Sequence, residues 1–106
     1  MSVPAWEDRE PFSLLGGLFA VRRARPRDRQ ALALMLDRCS AQTRYRRFHG
    51  HVNVFPERYL AEALSGRPAH FALVAEAADG TLVALASCRT VAAGVAEIGI
   101  LVEDAW

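Results

Sequence analysis

Glu97 opens the stretch of this chain best suited to chemistry. It precedes the apolar run Ile98-Gly99-Ile100-Leu101-Val102, and it is the only ionisable residue between Arg89 and Glu103. A carboxylate whose side chain enters a cleft is partly desolvated, which raises its pKa toward a value useful for proton transfer. The competing reading is a solvent-facing Glu at a strand start, beside a turn at Gly94. Alternation along the run puts Ile98, Ile100 and Val102 on one side and Glu97, Gly99 and Leu101 on the other. Apolar residues on both sides predict a strand buried on both faces, in the middle of a sheet. The chain stops four residues after Val102, so the expected sheet is incomplete at this strand.

Other groups of polar residues invite chemical readings. Five arginines lie between Arg22 and Arg29. They suggest an anion site or, more simply, a solvated strand end with Asp28 and Asp37 nearby. Arg44, Arg46 and Arg47 interleave with Tyr45 and Phe48, a pattern that can stack and pair with nucleic acid. It equally describes a short amphipathic helix whose aromatic residues are core. His49-Gly50-His51 lacks a third or fourth ligand nearby in sequence, so no metal is expected. Cys39 and Cys88 form no CxxC pair and read as reduced thiols. With 13 basic residues, all of them Arg, against 12 acidic ones, the net charge is +1. That balance argues against nucleic acid or an anionic membrane as partner. No apolar run approaches the ~18 residues of a membrane span. The acidic N-terminal stretch does not resemble a signal peptide, so a cytoplasmic location is expected.

Positioning these residues requires a scaffold, and 106 residues, 52% of them hydrophobic, suffice for one domain. Residues 1–17, punctuated by Pro4, Pro11 and Gly16-Gly17, read as an irregular lead-in. Trp6, Phe12, Leu14 and Leu15 could pin it to the core or to a partner. A first strand is expected over Leu18 to Arg25, ended by Pro26. Asp28 is placed to cap or open a helix over about Arg27 to Arg38. Leu32, Met35, Leu36 and Cys39 form its inward face. Ser40 can cap a second, short helix through Phe48. A third follows Pro56, with Leu60 and Leu64 inward and Gly66 at its end. The period then changes to two. His70 to Ala77, Thr81 to Val91 and Val95 to Val102 read as an antiparallel meander, with Asp79-Gly80 as a hairpin turn. Gly99 marks a bulge or a close backbone approach. The expected fold is α+β.

Three stretches carry a resemblance. Val21-Arg22-Arg23-Ala24-Arg25-Pro26-Arg27-Asp28 is similar to the opening strand of the GNAT-superfamily N-acetyltransferases. Ser40-x-x-Thr43-x-Tyr45-x-Arg47-Phe48 resembles a stretch after the first helix in the branch that includes bacterial protein lysine acetyltransferases. Ala96 to Trp106 resembles the family's fourth strand, and the likeness spans about Leu18 to Trp106. It implies the N-terminal half of a GNAT-like domain that transfers acetyl from acetyl-CoA to a primary amine, a protein lysine among the candidates. It implies Glu97 as general base, and the backbone of Ile100, Leu101 and Val102 as the edge that pairs with the pantetheine arm. Tyr45 and Arg47 would then lie at the acceptor. The family's glycine-rich pyrophosphate loop normally follows the fourth strand, and no Gly follows Gly99. The isolated chain is therefore expected to be incomplete, and to self-associate through the apolar edge 95–102. A non-catalytic interaction or dimerisation module is the alternative.

Overall fold

The structure, a computed structural model, describes residues 10–14 and 17–106. It is α+β. Five strands run in the order β1-β2-β3-β4-β5, each antiparallel to its neighbours: β1 Glu10–Leu14, β2 Gly17–Arg23, β3 His70–Ala77, β4 Leu82–Ala92 and β5 Val95–Val102. Between β2 and β3 lie a 3-10 turn, Pro26–Asp28, and three helices: α1 Arg29–Arg38, α2 Ala41–Phe48 and α3 Glu57–Ala63. The expected meander is present as β3, β4 and β5. Part of the expected lead-in is not irregular, because Glu10–Leu14 pairs with β2. Trp6 and Leu15 lie outside the described residues. No helix in the described residues is long and apolar enough to cross a membrane.

The helices cover one face of the sheet. Leu32, Met35, Leu36 and Cys39 are all buried, as their i, i+3, i+4, i+7 spacing requires. They pack with Val74, Leu85 and Leu101 from β3, β4 and β5. Leu60 and Leu64 are buried with them. The opposite face has no such cover among the described residues. Leu73 and Ala86 there are only half-buried, while Ile98 is 71% and Ile100 63% exposed.

Among the described residues, strand β5 is the apolar edge expected over 95–102. Its composition is that of a strand buried on both faces, yet only Leu101 along it is buried. It stands at the edge of the sheet, with β4 as its neighbour. Gly99 is not at a bulge. The register shifts fall instead at Ala75/Glu76 and at Thr90/Ala92.

Arg22 departs from the reading of its stretch as a solvated strand end, which the exposed Arg25, Arg27 and Arg29 keep. It faces the covered side of β2 and is 5% exposed. Its guanidinium donates to both Asp28 oxygens, Nη1 to Oδ2 at 2.9 Å and Nη2 to Oδ1 at 2.7 Å. Nε lies 3.6 Å from Glu76 Oε2 on β3. Asp28 also accepts from the Arg25 backbone N–H at 2.8 Å, closing the 3-10 turn. Burial alone would raise the Asp28 pKa. The Arg22 and Arg25 hydrogen bonds outweigh it and hold the carboxyl below its ordinary value.

Asp28→Asn should leave the buried guanidinium with Glu76 as its sole acidic partner. A loss near the lower end of the ~3–5 kcal/mol range for a broken buried pair is expected, read as a fall in urea midpoint. The wild-type contribution is complete above the unfolded carboxyl value of about 3.9. It is lost as pH falls through the lower folded value, because the unfolded chain takes up the proton first. The variant's stability should therefore depend less steeply on pH in that acid range. An unchanged midpoint in Asp28→Asn would contradict this assignment.

Candidate functional site

Helix α2 stands against the edge strand, and a cleft of about 620 Å³ lies between them. Thr43, Arg46, Arg47 and His49 form its helical wall, and Glu97 to Val102 the strand wall. Local sequence fixes the helix. Ser40 Oγ accepts from the Thr43 backbone N–H at 3.1 Å, an N-cap. His49 ends the helix in the left-handed region, at φ 56°. Asp104, just past β5, accepts from the Ser40 backbone N–H at 2.8 Å and from Thr43 Oγ1 at 3.1 Å. These bonds, led by that of the Ser40 N–H, hold its pKa low. Arg38 Nε donates to Glu103 at 2.9 Å, tying the end of α1 to the same segment.

Gly99 receives Arg47. A Cβ on Gly99 would collide with the Arg47 guanidinium, so the close approach expected there is real, and it is made by a side chain. The same guanidinium lies 4.7 Å from the Phe48 ring centroid and 4.9 Å from that of Tyr59. Both rings attract it through their negative faces. Arg47 has no acidic partner among the described residues.

Behind Gly99 the cleft continues into a chamber of about 250 Å³. Tyr59 from α3, His70 from β3, and Ser87 and Arg89 from β4 line it, with Arg47 and Glu97. Tyr59 Oη and Ser87 Oγ are 2.9 Å apart, so one hydroxyl donates to the other. His70 is 4% exposed, and neither ring nitrogen has a hydrogen-bond partner. Glu62 is 3.8 Å from its Nδ1, beyond hydrogen-bond reach. Burial lowers the His70 pKa more than Glu62 raises it, and the ring is neutral near pH 7.

Most of the residues singled out from the sequence converge here. Glu97, Arg47, Ile100, Leu101 and Val102 all border the cleft. Glu97 takes the solvent-facing of its two readings. Its side chain is 63% exposed and reaches Arg89 Nη2 at 3.5 Å. Tyr45 lies apart from the cleft and packs on His51, 5.6 Å between ring centroids. It is also half-exposed rather than core, so of the two α2 aromatics only Phe48 packs on the core. Tyr59, His70, Ser87 and Arg89 were not legible as site residues. They come from three separate elements, and each alone resembles an ordinary core or strand position. Among the described residues no three His, Cys, Asp or Glu side chains gather as a metal-binding group.

No protein-family model matches the chain, and no curated protein matches it. Among solved structures it is similar to the GNAT domain of S. lividans PAT, with a TM-score of 0.81 and 22% identity. The alignment covers 98% of this chain and 64% of that one. The chain thus has a GNAT fold, and it spans about two thirds of the length of that domain's chain.

Gly99→Val should displace the Arg47 guanidinium without unfolding the sheet, since valine suits a strand and the obstacle is a flexible side-chain end. The cost should fall below the ~1–3 kcal/mol of an overpacked core. The ring-current shift on the Arg47 Nε–H resonance should disappear. Retention of that shift would show that the contact is not seated on Gly99.

Proposed function

We propose that this chain carries the donor-side strand and acceptor pocket of an N-acetyltransferase that moves acetyl from acetyl-CoA to a primary amine. One observation carries the reading. The strand whose sequence resembles the pantetheine-binding strand forms one wall of a cleft, and its outer backbone edge faces no strand among the described residues. An extended pantetheine arm would add to that edge as a further strand, beside Ile100, Leu101 and Val102. The GNAT fold supports the same assignment.

The chemistry follows from the thioester. The amine nitrogen attacks the carbonyl carbon, an N–C bond forms, the C–S bond breaks, and the thiolate leaves. The amine must first lose a proton, and Glu97 at the mouth of the cleft accepts it, directly or through water. Its exposure leaves it open to solvent. Tyr45 and Arg47 divide here: Arg47 borders both cavities, whereas Tyr45 sits outside them, so acceptor contacts are assigned to Arg47.

The uncovered sheet face supports a second reading, an interaction module. Ile98, Ile100 and Val102 form an apolar strip on an edge strand, a surface that recruits another chain. The isolated 106-residue chain should self-associate by pairing these edges.

Two measurements separate the readings. Glu97→Gln should lower thiol release from acetyl-CoA by about 10²- to 10⁴-fold with an unchanged melting curve. Full turnover in this variant would remove Glu97 as base, and a folded wild type that binds no acetyl-CoA would remove the transferase. Sedimentation velocity should show concentration-dependent association that Ile100→Lys reverses. A monodisperse wild-type monomer would remove the interaction module.

A further inference from the structure

The chamber behind Gly99 has more positive charge than its own acid can balance. Arg47 and Arg89 both line it, and Glu97 is its one carboxylate. Glu97 touches only Arg89, at the long distance of 3.5 Å. Arg47 is left without an acid, yet it is not loose. Its guanidinium is held between Gly99 and the rings of Phe48 and Tyr59. A planar fork fixed in this way is preorganised for a two-oxygen acceptor.

The walls also hold hydrogen-bond donors without partners. His70 is 4% exposed and both of its ring nitrogens are unpartnered. A neutral imidazole carries one N–H donor and one acceptor, and leaving such a donor buried and unpaired is costly. Tyr59 and Ser87 share one hydrogen bond between two hydroxyls, so one O–H proton remains to be donated. At about 250 Å³ the space is smaller than the ~300–1,000 Å³ of a drug-sized site. It suits a small charged head group.

We propose that this chamber receives the carboxylate of the acceptor, so that the amine acetylated is one carrying its own carboxylate, of the amino-acid type. The inference rests on the transferase reading and narrows it. A carboxylate between Arg47 and Arg89 would accept from both forks and from the chamber's unpaired donors. Its amine would then stand toward Glu97, which borders both the chamber and the cleft. A plain alkylammonium, such as an isolated lysine side chain, would instead meet two guanidiniums. Like charges at close range oppose its entry.

The test compares glycine with glycinamide, which keeps the amine and removes the carboxylate. Each is titrated into the isotope-labelled chain, and the His70 imidazole and Arg47 guanidinium resonances are followed. Glycine should move both saturably, at a concentration at least tenfold below that needed for glycinamide. Arg47→Lys keeps the charge but loses the fork, and should weaken glycine about tenfold. Equal action of the two ligands, or no movement with either, overturns the proposal. Acetyl-CoA binding, measured separately, keeps the two readings apart. Selective glycine binding without acetyl-CoA binding upholds the carboxylate chamber and defeats the transferase. Acetyl-CoA binding without glycine preference does the reverse.

Discussion

The buried Arg22 guanidinium is the constraint on which the rest of this structure depends. It sits on β2 under the helical layer, and it can be tolerated there only if its charge is answered on the spot. Asp28 answers it from the turn that opens α1, and Glu76 from β3. The end of β2, the turn that follows it and the distant strand β3 are thereby held at one point. The direction of α1 follows from that anchor. So does the position of Leu32, Met35 and Leu36 over the sheet, because α1 begins one residue after Asp28. A solvated arginine cluster would have fixed none of this.

The site is built at the other end of α1 by the same kind of device, at lower cost. Arg38 holds Glu103, and Asp104 holds the start of α2. The segment after β5 is thus clamped to the two helices, and α2 is set alongside β5 with a gap between them. Gly99 then decides what fills the gap. Without a Cβ it lets Arg47 lie on the strand, where two aromatic rings fix the guanidinium. The result is a cleft with a backbone edge on one side and cations on the other, leading into a polar chamber whose imidazole has no partner. These are the two spaces to which the proposed thioester-bearing arm and carboxylate-bearing amine are assigned.

Local periodicity made much of the fold legible. The inward face of α1, the Ser40 cap, the Asp79-Gly80 hairpin and the bounds of β3 and β5 all follow from short-range patterning, and the structure has each of them. Tertiary pairing was not legible. Arg22 reads as solvent-facing because its partner Glu76 lies on a distant strand, and nearness to Asp28 in sequence does not by itself predict burial. β5 reads as central because composition reports what a strand is suited to, not where it stands. In the site, the residues on a single strand or helix were visible: Glu97, Ile100, Leu101, Val102 and Arg47. Tyr59, His70, Ser87 and Arg89 were not, since only folding brings α3, β3 and β4 to one chamber. Tyr45 lies on the same helix as Arg47 but outside the cleft lining, against His51.

In the proposed function the edge of β5 receives the pantetheine arm of acetyl-CoA. Its most direct test is a titration of acetyl-CoA into the folded, isotope-labelled chain, read at the backbone amides. Saturable shifts are expected at Ile98 to Val102 and at the α2 residues Arg46 and Arg47 across the cleft, with β1 and β2 unmoved. A folded sample in which those β5 amides stay fixed at saturating acetyl-CoA, or in which the shifts fall on other strands, would contradict it.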